Sequence, residues 1–462
     1  MKEFIESRNQ KMLDAYALLP SLITEHDGIE QTVLAGGYGY RQIMELVQNG
    51  ADAILEADQE GYPSPEKNRI HLLLQGKYLY AANTGAPLSK EGVEALLSSH
   101  SSPKRGNQIG RFGLGFKSLL RLDGRIDIFT RTSGAIRFDP KRCRRELKAQ
   151  FGVTEAPGLR LAWSLPDSER SDDNLLDQLA WAETIVRAEV PNEELHDHLQ
   201  QEIQRFPSKF LLFFPVGTTL VLDHGEEHAR KLRVEQHGNE QVLHDGNEVS
   251  TWRVVQRNVA ITDKRALADA THIHARDSVP LTWAIPLESG REEAGLFWAF
   301  FPTKTPTYLS GILNAPWKLN SDRNAIIAGE WNSALMTEAA NLVAETLWLL
   351  STPDDPGRPL DAFPRQLERK DEDAAPLVEA LWGRLKNAAV IPDATGKPRR
   401  AHELQRHARD NADLARKWQV LAGPDALRQI VHPSCLERQR VSRLKALADR
   451  LNAQPNDQNP LW

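Results

Sequence analysis

The stretch Tyr40-Arg41-Gln42-Ile43-Met44-Glu45-Leu46-Val47-Gln48-Asn49-Gly50-Ala51-Asp52-Ala53 decides how the rest of the chain is read. Ile43, Met44, Leu46, Val47 and Ala51 recur at helical spacing and make one face for a core. Glu45, Asn49 and Asp52 fall at i, i+4 and i+7, so they stack along another face of the same helix. A carboxylate, an amide and a second carboxylate on a helix with a buried side are costly to leave dry. The row therefore either caps something structural or faces a polar ligand. Gly36-Gly37-Tyr38-Gly39 breaks the chain before this helix, and residues 61–65 end it.

Working outward, residues 1–25 have an amphipathic helical pattern up to Pro20. Downstream, residues 70–74 and 78–82 make two β-like runs joined by Gln75-Gly76-Lys77, a hairpin signal. The second run ends in Asn83-Thr84-Gly85-Ala86-Pro87, a turn with a central glycine. A helical piece at 90–97 leads into small, polar residues up to Asn107. Then comes Ile109-Gly110-Arg111-Phe112-Gly113-Leu114-Gly115-Phe116-Lys117-Ser118, followed by apolar Leu119, Leu120 and Leu122. Strands resume at 125–131, 135–138 and 159–165, and a helix is expected over 192–206. A β-rich region is read from 210, with runs at 218–222, 251–255, 281–286 and 296–301, before a helix over 331–350. Residues 351–357 look like a linker. Beyond it the patterns are mostly helical, interrupted by a short hairpin at 390–397, and the last, 436–451, is basic and amphipathic.

The glycine run excludes two familiar phosphate loops. A Walker A loop needs Gly-Lys-Ser/Thr, but Phe116 separates Gly115 from Lys117. A Rossmann turn has the order GxGxxG after a first strand, whereas the order here is GxxGxG. What remains is a glycine-rich turn opening a helix whose free N–H groups and dipole suit phosphate. The alternative is a tight packing turn.

Composition sets outer bounds. With 462 residues, 40% hydrophobic and 26% charged, the chain suits two or three globular domains with sizeable cores. A net charge of -6 argues against an overall electrostatic grip on nucleic acid, though a local basic groove stays possible. Two distant cysteines form neither a disulfide framework nor a zinc pattern, which points to the reducing cytoplasm. Lys2, Glu3 and Glu6 leave no signal-peptide core after Met1, and no apolar run is long enough to span a bilayer.

A Glu-x-x-x-Asn-x-x-Asp helix, a strand ending in Asn83-x-Gly85 and a polar lid before Gly-x-x-Gly-x-Gly follow one another in one order. In these motifs, spanning residues 36–165, the chain resembles the GHKL ATPases of the gyrase, Hsp90, histidine kinase and MutL type. The run 109–118 is most similar to the Hsp90 and sacsin-type branch, and a weaker similarity continues over 311–341. The resemblance implies an α/β architecture: a Bergerat-fold ATP-binding sandwich with its N-terminal helical segment over 1–205, a ribosomal-S5-like domain over 206–350, and a mostly helical region over 351–462.

It also implies roles for individual residues. Glu45 would orient and deprotonate the attacking water, and Asn49 would ligate Mg²⁺ through its amide oxygen. Asp52 would stand behind them or be structural. Asn83 departs from the usual aspartate that accepts from the adenine amino group; it can still accept, but its NH₂ needs another partner. Gly85 would let the base approach the backbone, and Gly110, Gly113, Gly115 and Phe116 would lie along the phosphates. Lys104, Arg105 and Lys117 are cationic candidates near them. Arg323 in Asn320-Ser321-Asp322-Arg323-Asn324 is the preferred basic residue to reach the γ-phosphate, with Lys318 and Lys304 as competitors.

The function implied is an ATP- and Mg²⁺-dependent conformational switch in which ATP closes residues 98–109 over the nucleotide. The switch would be a homodimer on ATP or a subunit of a larger complex. Its output would be chaperone-like remodelling, nucleic-acid maintenance or bacterial defence, with client protein or nucleic acid undetermined and no membrane. The competing expectation is a nucleotide-binding interaction module that does not turn over. A histidine kinase is disfavoured because no phospho-acceptor helical domain precedes the motifs. Trp298, Phe300, Phe301 and Trp317 read as core, and the basic residues 438–450 as a solvated helix face or else a contact for nucleic acid or a partner.

Overall fold

A computed structural model describes residues 1–35, 41–62, 68–98, 115–131, 134–166, 169, 173–215, 217–225, 229–274, 278–287, 294–320, 322–365, 372–437 and 439–452. The protein is mixed α/β, built on a large mixed sheet. It divides into two compact units, Met1–Ser250 and Thr251–Trp462. Among the described residues no helix is long and apolar enough to cross a membrane.

In the first unit α1 (Lys2–Leu18) and α2 (Ser21–Ala35) are two helices where one amphipathic segment is expected, broken at Pro20. The deciding stretch forms α3 (Gln42–Glu60), which stops at Gly61 in the left-handed conformation (φ 70°). Ile43, Leu46, Val47, Ala51 and Ile54 are fully or nearly buried along one side. Each large apolar side chain of that stripe contributes about 1.5–3 kcal/mol. β1 (Arg69–Gln75) and β2 (Tyr78–Asn83) form the expected hairpin, its turn made possible by Gly76 at φ 57°. α4 (Lys90–Leu97) starts at Ser89, whose hydroxyl accepts from Gly92 N.

β3 (Ile126–Thr130), β4 (Gly134–Phe138), α5 (Pro140–Phe151), β5 (Trp163–Ser164), α6 (Asn174–Gln178) and β6 (Thr184–Glu189) follow. Residues 159–165 thus make only a two-residue strand rather than a full one. α7 (Glu193–Gln204) begins at Asn192, which accepts from Leu195 N. The apolar run at Ser208–Phe213 is a 3-10 helix, not the start of a β-rich domain. Aromatic pairing fits this: Phe210 packs edge-on against both Phe206 and Phe214, residues four apart that a helical turn brings together but an extended strand would hold about 13 Å from each other.

β7 (Thr219–Asp223) then lies parallel to β1, extended by β8 (Arg230–His237) and β9 (Glu240–Asp245). The strand order of this unit is β9-β8-β7-β1-β2-β6-β3-β4-β5. Because β7 pairs with β1, the first unit continues past residue 205 to Ser250.

α3 and α7 cover one face of this sheet. The other face carries Leu73, Tyr80, Ala82, Phe129 and Ile185 beneath α6. On that same face the register sets Tyr80, Arg187, Asp127 and Arg137 side by side across four strands. Asp127 accepts from both arginines, and Asp173 and Glu169 take their remaining donors.

The second unit has strand order β13-β12-β14-β11-β10, with β10 (Glu248–Val259), β11 (Val279–Pro286), β12 (Ala294–Ala299), β13 (Phe301–Ser310) and β14 (Ile312–Asn314). α8 (Lys264–His274), α9 (Glu330–Thr346) and α10 (Ala375–Leu385) share one continuous core with these strands. Trp298, Phe301 and Trp317 are buried as expected, while Phe300 is half-buried.

β15 (Ala389–Pro392) and β16 (Pro398–Arg400) form the expected small hairpin, and α11 (Ala412–Leu421) and α12 (Arg440–Asn452) complete the unit. Two readings of this region change. Asp355 and Asp361 both hold Arg440 in forked ion pairs, and Gly357 N donates to Ser434 Oγ, so 351–357 is locked into the unit rather than a free linker. For the same reason Arg440 and Arg443 of the basic helix are buried among internal partners rather than on a solvated face.

Candidate nucleotide site

α3 carries the polar row into the first unit. Glu45 and Asp52 are 4% and 2% exposed, and Asn49 between them is half-buried. Two glycines let this helix lie close to the hairpin. A Cβ on Gly50 would come within 3.2 Å of Asn83 Cβ and 3.1 Å of Ile70 Cδ1. Asn83 is therefore packed against α3 between Asn49 and Ala51. A Cβ on Gly85 would stand 2.5 Å from the backbone of Ala53, and Gly85 has φ 117°. Ala86 N donates to Ala53 O at 2.8 Å, tying the same turn to the helix. The need for glycine at 85 is thus set by the helix backbone, a packing demand that the sequence alone does not separate from approach of a base.

The Asn83 amide is oriented. Its Nδ2 donates to Thr84 O at 2.8 Å, and a carbonyl can only accept, so Oδ1 is the acceptor left over. The turn is braced by Arg69 N donating to Thr84 Oγ1 and Thr84 N donating to Arg69 O.

The last glycine of the run begins a 3-10 helix, Gly115–Leu122. Gln42 Nε2 of α3 donates to Ser118 O, so this helix and α3 meet directly. Phe116 is buried edge-on against Phe138, an anchor in the core. Lys117 is also buried, beside Glu30 and Arg160. Burial first, then the Arg160 guanidinium, pushes its ammonium down to about 8 against the pull of Glu30. Glu30 in turn accepts from Gly158 N and Leu159 N, and Arg160 and Arg8 both donate to Leu97 O at the end of α4. Gly110, Gly113, Lys104 and Arg105 lie outside the described residues, as do residues 99–109.

In the second unit Arg323 sits in a turn at φ 53°, half-buried. Asn320 holds that turn: its Oδ1 accepts from Asn324 N and Ala325 N, and its carbonyl accepts from Arg323 N. Lys318 is committed to Asp269 through its ammonium at 2.5 Å, which removes it as a mobile cation. Lys304 is exposed on β13, its N–H donating to Asn324 O.

Residues that sequence reasoning missed are Glu202, which accepts from the first N–H groups of α3, and the Glu30–Arg160 pair. No local pattern marks them, since each acts on an element more than 100 residues away. Among the described residues no group of three or more His, Cys, Asp or Glu side chains gathers as it would around a metal ion. Cys143 and Cys435 are buried, unbridged thiols. No protein-family model matches the chain, and a search of curated proteins finds no match.

Proposed function

We propose that this protein is an ATP-binding and ATP-hydrolysing conformational switch of the GHKL type. In this reading the first unit carries a Bergerat-type nucleotide site and the second an S5-like domain. One observation carries it. The carboxylate–amide–carboxylate row of α3, the Asn83 turn and the glycine-led helix at Gly115–Leu122 all meet around α3.

Asn83 Oδ1 would accept from the amino group of adenine, while Thr84 O satisfies the NH₂ that an aspartate would not carry. Gly110, Gly113 and Gly115 would offer backbone N–H groups to phosphate oxygens. Glu45 would hold the attacking water and take its proton, in surroundings dry enough to strengthen that interaction. Asn49 offers a neutral, hard oxygen, half-exposed, which fits a Mg²⁺ that keeps several waters and takes its other ligands from phosphates. When bound, Mg²⁺ would supply charge neutralisation at the β- and γ-phosphates. Arg323 would face the charge developing on the γ-phosphoryl group.

Phosphate release from Mg-ATP by wild type and Glu45→Ala tests this. The expected result is a loss of about 10²- to 10⁴-fold in turnover with ATP binding retained. Equal release by both proteins removes Glu45 from the mechanism. Binding without release by wild type favours a nucleotide-binding module that does not turn over, and no binding at millimolar ATP overturns the whole reading. The wider output and any homodimer, larger complex, client or nucleic-acid partner belong to the same proposal and are tested by oligomer size with a nonhydrolysable analogue.

A further inference from the structure

α3 has no side-chain cap of its own, because Arg41 at the capping position makes none. The N–H groups of Ile43 and Met44 donate instead to one oxygen, Oε1 of Glu202 on α7, at 3.1 and 3.3 Å. The other oxygen, Oε2, is shut off from solvent and has no hydrogen-bond partner among the described residues. A dry, unpartnered oxygen is far more costly on an ionised carboxylate than on a protonated one. Glu45 lies in the next position of the same first turn, so the two carboxyl groups share one helix start.

The surroundings of Glu202 are largely apolar. α7 also packs on β1 and β7. Ile70 faces α3, and the register places Leu220 and Leu222 on the same side as Ile70 and Leu72. By alternation His71, Arg69 and Asp223 lie on the far side of the sheet. The charges acting most strongly on Glu202 are therefore Arg41 and Glu45. His198, one turn earlier on α7, is governed by its own burial and by Arg121. Burial, with a smaller push from Glu45, raises the Glu202 carboxyl to about 8 against the two N–H donors and Arg41.

We propose that Glu202 is a positioning residue of the hydrolytic site: one oxygen fixes the start of α3, and proton exchange at the other sets the charge presented to Glu45. This rests on the ATP-hydrolysis reading above. Loss of the Glu202 proton places a negative charge behind Glu45 and favours transfer of the water proton to it. Turnover then rises as Glu202 ionises, by about three- to tenfold for one charge at this range.

The test compares the full chain with Glu202→Gln and Glu202→Ala between pH 6 and 9.5, reading ATP turnover and melting temperature. Gln keeps an oxygen for the two N–H groups and mimics the protonated carboxyl. Wild-type turnover should climb through about pH 8, while Glu202→Gln stays at the low-pH level with its fold intact.

Stability without nucleotide gives a second readout. The folded carboxyl binds its proton more tightly than the unfolded one (ordinary value 4.5). Stability from this group is therefore full below about 4.5 and is lost as pH rises through about 8. Glu202→Gln should flatten that fall, and Glu202→Ala should melt lower than both for want of the cap. A Glu202→Gln turnover profile superimposable on wild type overturns this proposal alone. Absence of wild-type turnover at every pH overturns the hydrolysis reading and this role with it.

Discussion

Arg323 occupies a backbone conformation, φ 53°, that costs an L side chain about 1–2 kcal/mol and glycine almost nothing. A turn residue chosen only for its bend would be glycine or asparagine, and Asn320 and Asn324 already supply the polar bracing. On the proposed ATP-hydrolysis reading, a guanidinium facing phosphate would be the reason to keep arginine there. On that reading Arg323→Gly should stay folded and lower ATP turnover by about 10³-fold or more. A variant that melts lower with turnover intact would instead make Arg323 a structural contact.

At this scale the sequence is informative where side chains are brought together by local spacing. Glu45, Asn49 and Asp52 were visible because helical spacing alone puts them in one row. Glu202 was not, because its partners Ile43 and Met44 are brought to it only by packing of α7 on α3. The bend at Arg323 was equally hidden, since nothing in Asp322-Arg323-Asn324 announces a left-handed arginine.

Among elements, α3 and the β1–β2 hairpin form the rigid centre, and Gly50 and Gly85 determine how closely they lie. Gly85→Ala must both adopt φ 117° and place a methyl 2.5 Å from the Ala53 backbone. It should cost about 3 kcal/mol or more, or prevent folding, which urea denaturation would show. A near-neutral result would mean the turn can lift off α3. The ion row Arg187–Asp127–Arg137 stiffens the opposite face of the same sheet. Its members satisfy one another in a buried setting, where losing one partner is worse than never having the pair.

Elements with clean periodicity and a stop signal, α3 and α4, were legible almost to the residue. β8 and β9 were not, because charged and polar residues alternate there with few apolar ones. The run at Ser208–Phe213 misled because short apolar segments carry no period that separates a strand from a tight helix.

For the whole molecule, the division at Ser250 and Thr251 separates the polar row from Arg323. Within the second unit, Arg440 is the point where distant segments are joined. It is almost fully buried, whereas Asp355 and Asp361 keep over a third of their side-chain surface. Solvent reaching the aspartates discounts the pairs, so Arg440→Ala should cost about 1–3 kcal/mol. Hydrogen exchange should speed up at 355–361 and 433–447, with the strands β1 and β2 as reference. Unchanged protection there would show that the fork contributes little. Composition makes 351–357 look like a linker because prolines and aspartates are cheap to expose; the partner of Asp355 lies 85 residues away, beyond any window of local reading.

That fork also sets an order of events during synthesis. Asp355, Gly357 and Asp361 leave the ribosome well before Ser434 and Arg440, and until those arrive their bonds have nothing to close on. The strands and helices from β10 to α9 must therefore wait with part of their common core open, in a state that exposes apolar surface. The second unit can thus be closed only once the segment carrying Ser434 and Arg440 has been made.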